Sequence, residues 1–295
     1  MTKLVAISMV ALVIIWGSAF PTIKIALGDL SAPHLTLGRH LVASVVLYFF
    51  LLLSGCRLFP RKCDVPYFLL LGFIGITIYH MALNYGELRV SAGGASLIMA
   101  SAPALTAILA YFMYSEKFGR YRWIGSAICF SGVILLVLGE ERSIGVNIYA
   151  GLVFLSAVST ALFFVLQKSL LSRYRPVEVT AFVTWAGTIP LMIFLPSFAS
   201  NFMSYGMGPI AATIYAGIFP SAIAYSLLAF ALSRTSASLI ATFLYAVPVF
   251  SLGFSWLLLY EIPGPLTLVG GIVVLAGIAV VNQTWVVKPK SAVRN

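Results

Sequence analysis

Residues Arg89 to Gly132 read RVSAGGASLIMASAPALTAILAYFMYSEKFGRYRWIGSAICFSG, and 145 residues later Arg234 to Gly277 read RTSASLIATFLYAVPVFSLGFSWLLLYEIPGPLTLVGGIVVLAG. The two stretches align without a gap. They pair Arg89 with Arg234, Ser91 with Ser236, Ala92 with Ala237, Pro103 with Pro248, Glu116 with Glu261, Gly119 with Gly264, Gly125 with Gly270 and Gly132 with Gly277. Leucine on leucine would mean little in so apolar a chain. Arginine, proline, glutamate and glycine are not placed by hydropathy, so their coincidence marks an internal duplication. Upstream, Gly72 meets Gly217 at the same shift, and Phe20 and Lys24 meet Phe164 and Lys168 one residue off it. The repeat therefore reaches into both halves of the chain.

The composition says what is repeated. Of 295 residues, 61% are hydrophobic and only 9% charged, where a soluble domain carries about 25% charged residues. Such a chain could not cover a water-facing surface. Its apolar runs are Leu4 to Leu27, Leu35 to Leu53, Tyr67 to Leu83, Ala92 to Tyr114 and Trp123 to Leu138, then Ile148 to Leu171, Val179 to Phe198, Ile210 to Leu232, Ser236 to Tyr260 and Leu266 to Asn282. Each is close to the ~20 residues that a helix needs to cross a bilayer. None alternates in polarity as a barrel strand does. The expected fold is an all-α integral membrane protein of ten transmembrane helices.

Five spans per copy is an odd number, so the second copy enters the membrane from the opposite face. The expected layout is a 5+5 inverted repeat: residues 1–139, a connector at 140–147 marked by Glu140-Glu141-Arg142, a second repeat at 148–287 and a tail at 288–295. With the N-terminus inside, 14 of the 18 Lys and Arg residues fall in connectors on the cytoplasmic side. The positive-inside rule then places both termini in the cytoplasm and the chain in a cell inner membrane. The net charge of +10 follows from this bias. Its Lys and Arg are scattered between apolar runs rather than gathered on one face, so no nucleic-acid partner is expected. Cys56, Cys63 and Cys129 imply neither a disulfide framework nor a zinc site, and the first apolar run is too long for an ordinary signal peptide. No pattern calls for a metal or other cofactor, and no Gly-Lys phosphate loop indicates ATP binding.

WGSAFPTIK in the first span, LNYGELRVSAGGASLIMASAPALTAIL leading to Tyr114-Ser115-Glu116, and FPSAIAYSLLAFALSRTSASLIATFLYAVPVFSLGFSWLLLYE in the second half resemble the EamA family of the drug/metabolite transporter superfamily. The resemblance covers nearly the whole chain. It implies a ten-helix carrier of small metabolites, commonly an exporter of amino acids or related compounds, with a cavity between the halves. It does not specify the substrate, and a monomer is compatible with it.

Candidate cavity residues follow from polarity inside the runs. Thr77, His80 and Asn84 are spaced to share one helix face, and His80 aligns by the repeat with Tyr225. Such groups either line a pathway or bond neighbouring helices. Arg39, beside His40, could hold a substrate carboxylate with two parallel hydrogen bonds or extend to the interface. Trp16, Phe20, Tyr79, Tyr85, Trp185, Tyr225 and Tyr245 could form an aromatic wall or serve as packing and interface anchors. Pro103 and Pro248, at the midpoints of the fourth and ninth spans, are expected to kink them beside the substrate path. Glu116 and Glu261 end their spans and are expected to cap or pair there. With no acid near the middle of any run, unlike the first-helix Glu of the related small multidrug transporters, proton coupling through a buried carboxylate is not expected. His80 remains a group that could titrate.

The expected function is alternating-access transport of a small solute between two inverted halves in a lipid bilayer. A membrane enzyme acting on lipid-linked substrates would need an acidic metal cluster or a nucleophile with a positioned base. Eight acids at span ends and three histidines do not supply one. A channel or a non-transporting scaffold is the other alternative.

Overall fold

The computed structural model describes residues 3–114, 120–139, 148–234, 243–244 and 246–282. The expected connector at 140–147, the tail at 288–295, Glu116 and Tyr245 lie outside the described residues. Every element within them is helical. Six stretches are long and apolar enough to cross a membrane: Lys3–Ala26, Ala32–Leu53, Lys62–Gly86, Ile148–Gln167, Pro176–Ser204 and Met207–Arg234. Four shorter apolar stretches lie in Ala92–Thr106, Trp123–Leu135, Val247–Leu259 and Pro265–Gly277. The outer surface carries Leu4, Ile7, Val45, Phe49, Leu53 and Ile193, all more than half exposed. Water would not tolerate such a belt on a monomer, but hydrocarbon matches it.

In chain order, α1 is Lys3–Ala26 and α2 is Ala32–Leu53. Helix α2 starts where the Ser31 side chain accepts the His34 N–H, with Pro33 in the first turn. It ends at Ser54, followed by Gly55 at φ +59°. The next stretch is built in pieces: a 3₁₀ turn at Lys62–Asp64, α3 at Val65–Gly72, a π-helical segment at Phe73–Ile78 and α4 at Tyr79–Gly86. Helices α5 (Ala92–Met99) and α6 (Ala102–Tyr114) are separated by a break at Ala100 and Ser101, and α7 is Arg120–Gly139. The second half has α8 (Ile148–Gln167), α9 (Pro176–Leu191), α10 (Leu195–Asn201) and α11 (Met207–Ala216). A second π-helical segment at Gly217–Ala224 runs into α12 (Tyr225–Arg234). Helices α13 (Val247–Leu259) and α14 (Pro265–Asn282) complete the chain.

The largest helix contacts join one half of the chain to the other: α7 with α14, α1 with α13, α4 with α8, α2 with α9 and α1 with α11. The halves are thus interleaved rather than packed as separate lobes. Several of the repeated glycines are points of close approach. A Cβ on Gly132 would stand 2.6 Å from the Val274 nitrogen, and one on Gly277 would stand 2.7 Å from the Gly125 carbonyl oxygen. Gly72 abuts Gly187 on α9, and a Cβ on its repeat partner Gly217 would come within 2.6 Å of the Arg39 carbonyl on α2. Only glycine lets these backbones touch.

One end of the bundle is tied by acids that hold a basic loop. Arg173 pairs with Asp64 at 2.6 Å, and the Tyr174 hydroxyl donates to the same carboxylate at 2.6 Å while accepting the Arg61 N–H at 3.0 Å. Glu178 accepts the N–H groups of Arg57 and Arg175, each at 2.9 Å. Asp64 is buried, so its bond from Tyr174 is shielded from water, whereas Arg173 is half exposed and contributes little. Tyr174→Phe should therefore cost about 1–2 kcal/mol and lower the thermal midpoint by a few degrees. A scanning-fluorescence melt in detergent, compared with wild type, measures this, and an unchanged midpoint would show the bond to be idle.

Candidate functional site

Between the halves lies a cavity of ≈ 90 Å³. Helices from both halves line it: α1 supplies Trp16, Phe20 and Ile23, α2 supplies Arg39, and α4 supplies Tyr79, His80 and Leu83. Opposite them stand Thr160 and Phe164 of α8, Pro220 of the second π-helical segment, Tyr225 of α12, and Val247 and Pro248 of α13. Ser96, Met99 and Pro103, around the α5–α6 break, close one side. The wall is mostly aromatic and aliphatic, with a few polar groups that converge on it, the usual make-up of a small-molecule site.

Trp16 donates its indole N–H to the Pro220 carbonyl at 3.3 Å and meets Tyr225 edge-on at 5.5 Å between ring centroids. This links α1 to the opposite half across the cavity. His80 stands in a row of rings, edge-on to Tyr79 at 4.2 Å and to His40 at 4.3 Å, and tilted to Tyr225 at 6.4 Å. The Nδ1 of His80 lies 3.1 Å from the Ile76 carbonyl, and that of His40 lies 2.7 Å from the Thr36 carbonyl. A carbonyl can only accept, so both rings carry their proton on Nδ1 and turn an Nε2 lone pair outward.

Arg39 is 2% exposed. Its Nε donates to Ser221 Oγ at 3.1 Å, and its Nη1 is buried with no partner among the described residues. The guanidinium keeps its charge throughout. Tyr79, Tyr225, Glu87, His40 and His80 are in electrostatic range, and no carboxylate among the described residues bonds to it. Of the two readings open from sequence, extension to the interface does not occur, because the side chain points into the protein and lines the cavity.

The other expected residues divide. Trp16, Phe20, His80, Tyr225, Pro103 and Pro248 line the cavity. His40 and Asn84 are fully buried just behind it, with Asn84 Nδ2 donating to Thr36 Oγ1 at 2.8 Å. Thr77 does not share their face: its hydroxyl donates to the Gly187 carbonyl at 2.7 Å, towards α9. The cause is the π-helical turn at Phe73–Ile78, where i→i+5 bonding widens the helix and rotates the register that a 3.6-residue period assumes. Of the remaining aromatics, Tyr79 joins the wall, Trp185 bonds the Ser44 carbonyl at 3.2 Å, and Tyr85 is exposed. Pro103 and Pro248 do not kink continuous helices. Each is the second residue of its helix, where a missing N–H costs nothing, and Pro103 follows the break that ends α5. Glu261 caps across helices, its Oε2 accepting the Ala92 N–H at the start of α5 at 3.0 Å.

Two participants escaped the sequence reading. Pro220 lies in the second π-helical segment and offers its carbonyl to Trp16; a proline within the eighth apolar run was the available signal. Glu87, which lies between the third and fourth apolar runs and so reads as part of a connector, is 0% exposed, and neither carboxylate oxygen has a hydrogen-bond partner among the described residues. Its position seven residues beyond His80 and three beyond Asn84 put it on their face.

A model of the EamA-like transporter family matches residues 3–138 and again residues 147–283. Among curated proteins, "Uncharacterized transporter YdfC" of Bacillus subtilis (strain 168) is 37% identical, with 90% of this chain and 86% of that protein aligned. The "Probable terminal-alkyne amino-acid exporter" of Streptantibioticus cattleyicolor is 36% identical over 94% of this chain and 92% of its own length. The "Probable amino-acid metabolite efflux pump" of Escherichia coli (strain K12) is 25% identical, covering 90% of each. A solved crystal structure superposes with a TM-score of 0.69 at 17% identity, over 98% of this chain and 99% of that one, a likeness of fold.

Proposed function

Because the chain belongs to the EamA-like transporter family, we propose that it is a secondary carrier that exports amino acids or related carboxylate-bearing metabolites by alternating access. The observation that carries this reading is Arg39: a buried, permanently charged guanidinium at the cavity wall with an unused donor. An anionic group is the natural complement, and a carboxylate satisfies the planar fork of donors. The aromatic wall suits the apolar part of the solute. Two relatives whose names refer to amino-acid export support the class of substrate.

The mechanism follows from symmetry. Ten spans in two inverted halves would give inward-open and outward-open states of similar energy. The two π-helical segments, offset by the same 145 residues as Gly72 and Gly217, support that relation. So do the two separate matches to the family model. The excess of Lys and Arg on one side supports an inner-membrane location with both termini in the cytoplasm. The alternation would turn on the helix starts at Pro103 and Pro248, which stand beside the solute and offer backbone groups to it. In this reading the protein performs no covalent chemistry.

Counterflow in liposomes tests the proposal. Vesicles loaded with unlabelled amino acids should take up a radiolabelled algal amino-acid hydrolysate with saturation. Flux that never saturates would indicate a channel, and no flux would reject the substrate class. Pro103→Ala and Pro248→Ala should each slow exchange by about three- to tenfold at matched protein levels. Alanine permits the helix to continue where proline enforces the interruption. Exchange at the wild-type rate in both variants would remove the prolines from the mechanism.

A further inference from the structure

Five of the eight buried side-chain polar atoms without a partner among the described residues lie on one seam between α2 and α4. They are Arg39 Nη1, His40 Nε2, Asn84 Oδ1 and both oxygens of Glu87. Unsatisfied buried groups are rare in folded proteins, and a cluster of them points to a function rather than to packing. The seam is continuous. Glu87 caps the end of α4, Asn84 lies one turn below it and bonds Thr36 of α2, and His80 lies one turn further on against His40. All of these side chains are at most 2% exposed, and His80 and Arg39 open onto the cavity.

A buried carboxyl with no donor in reach must hold a proton or a water. Ionisable groups inside a membrane protein mark ion and proton pathways. We propose that this seam carries the coupling proton of transport, with Glu87 as the carboxyl that binds it and the Nε2 atoms of His40 and His80 as the acceptors at the cavity end. The proton comes from the aqueous phase at the Glu87 end, converts the carboxylate to the acid, and is released to the opposite phase when the cavity changes sides. The proposal rests on the carrier reading and adds the coupling ion to it. The groups that face Glu87 are Lys24 from α1, Arg39 from α2 and Glu261 from beyond α13, with Tyr79 lower on α4 itself. Helix α8 abuts α4 at Gly86 through Val153 and the Tyr149 carbonyl. The histidine pair faces Arg39, Tyr79 and Tyr225.

Three measurements on the full-length protein in lipid vesicles decide it. Infrared difference spectra taken as pH is stepped should show the carbonyl band of a protonated carboxyl titrating in wild type and missing from Glu87→Gln. A spectrum that Glu87→Gln leaves unchanged overturns the proposal. Should that variant not insert, dicyclohexylcarbodiimide, which couples to protonated carboxyls in apolar surroundings, should add to the wild-type Glu87 peptide, and absence of the adduct overturns it equally. Neither measurement needs a solute, so both stand apart from the carrier reading. In vesicles containing a pH-sensitive dye, wild type should change luminal pH in step with flux of the radiolabelled amino-acid hydrolysate. Glu87→Gln should lose the pH change, whatever its rate of label exchange at equal pH. Label flux without proton movement in wild type overturns the proposal, whereas absent label flux counts against the amino-acid reading and leaves the decision to the other two measurements.

Discussion

Arg39→Lys should lower exchange of carboxylate-bearing solutes by about 10- to 100-fold while leaving the amount of inserted protein close to wild type. The substitution keeps the charge and most of the aliphatic stem. What it removes is the planar fork. Arg39 spends Nε on Ser221 and its Nη1 has no partner among the described residues, so the anchoring bond and the solute bond leave from different edges of one rigid group. Lysine has a single ammonium on a flexible stem and cannot hold Ser221 and present a second donor in the same geometry. A charge-assisted hydrogen bond contributes roughly 1.5–3 kcal/mol, which corresponds to that range of rates if the bond is made in the rate-limiting state. The same counterflow assay checks it. Exchange within twofold of wild type would place the solute elsewhere in the cavity.

Gly277→Val should prevent accumulation of folded protein. At Gly277 the backbone of α14 lies against Cys129 and Gly125 of α7, and a side chain there meets main-chain atoms on the neighbouring helix. A rotamer change cannot relieve that clash, because the obstruction is backbone. The helices must separate, which also opens the reciprocal contact at Gly132. Overpacking of this kind costs about 3 kcal/mol or more, a large share of a marginal stability. Gly151→Val is the control: nothing lies within 4 Å of the position a Cβ would take there. Size-exclusion profiles in mild detergent should show loss of the monodisperse peak for Gly277→Val and retention for Gly151→Val. Equal profiles would show that the α7–α14 contact adjusts freely.

Much of this was legible in the sequence because the informative residues were of types that hydropathy does not force. Gly132 and Gly277 align by the repeat and prove to be facing contacts of one helix pair. Arg39, His80, Trp16, Phe20 and Tyr225 were picked out as polar or aromatic groups inside apolar runs, and they line one cavity. The misplacements have physical causes. Thr77 was assigned by a 3.6-residue period that a π turn interrupts. Pro103 reads as an interior kink because nothing in the run LIMASAPALT announces the break at Ala100 and Ser101. Glu87 was given to a connector because a charge at the end of an apolar run is normally at the surface. Here α2 and α8 pack against α4, and burial at such a contact is a property of packing that no local pattern records.

The interleaving of the halves also has a consequence for how the protein is made. Helix α1 finds its largest contact in α13, and α7 finds its own in α14, so the first helices to leave the ribosome wait for the last. At synthesis rates of roughly 5 to 20 residues per second, the wait of α1 for α13 is on the order of ten to fifty seconds. During it the early helices, Arg39 and Glu87 among their side chains, stand in the bilayer or the insertion machinery without the neighbours that later bury them. A chain cut after residue 139 would remain in that unfinished state, and the two pieces would have to be produced together to recover a folded carrier.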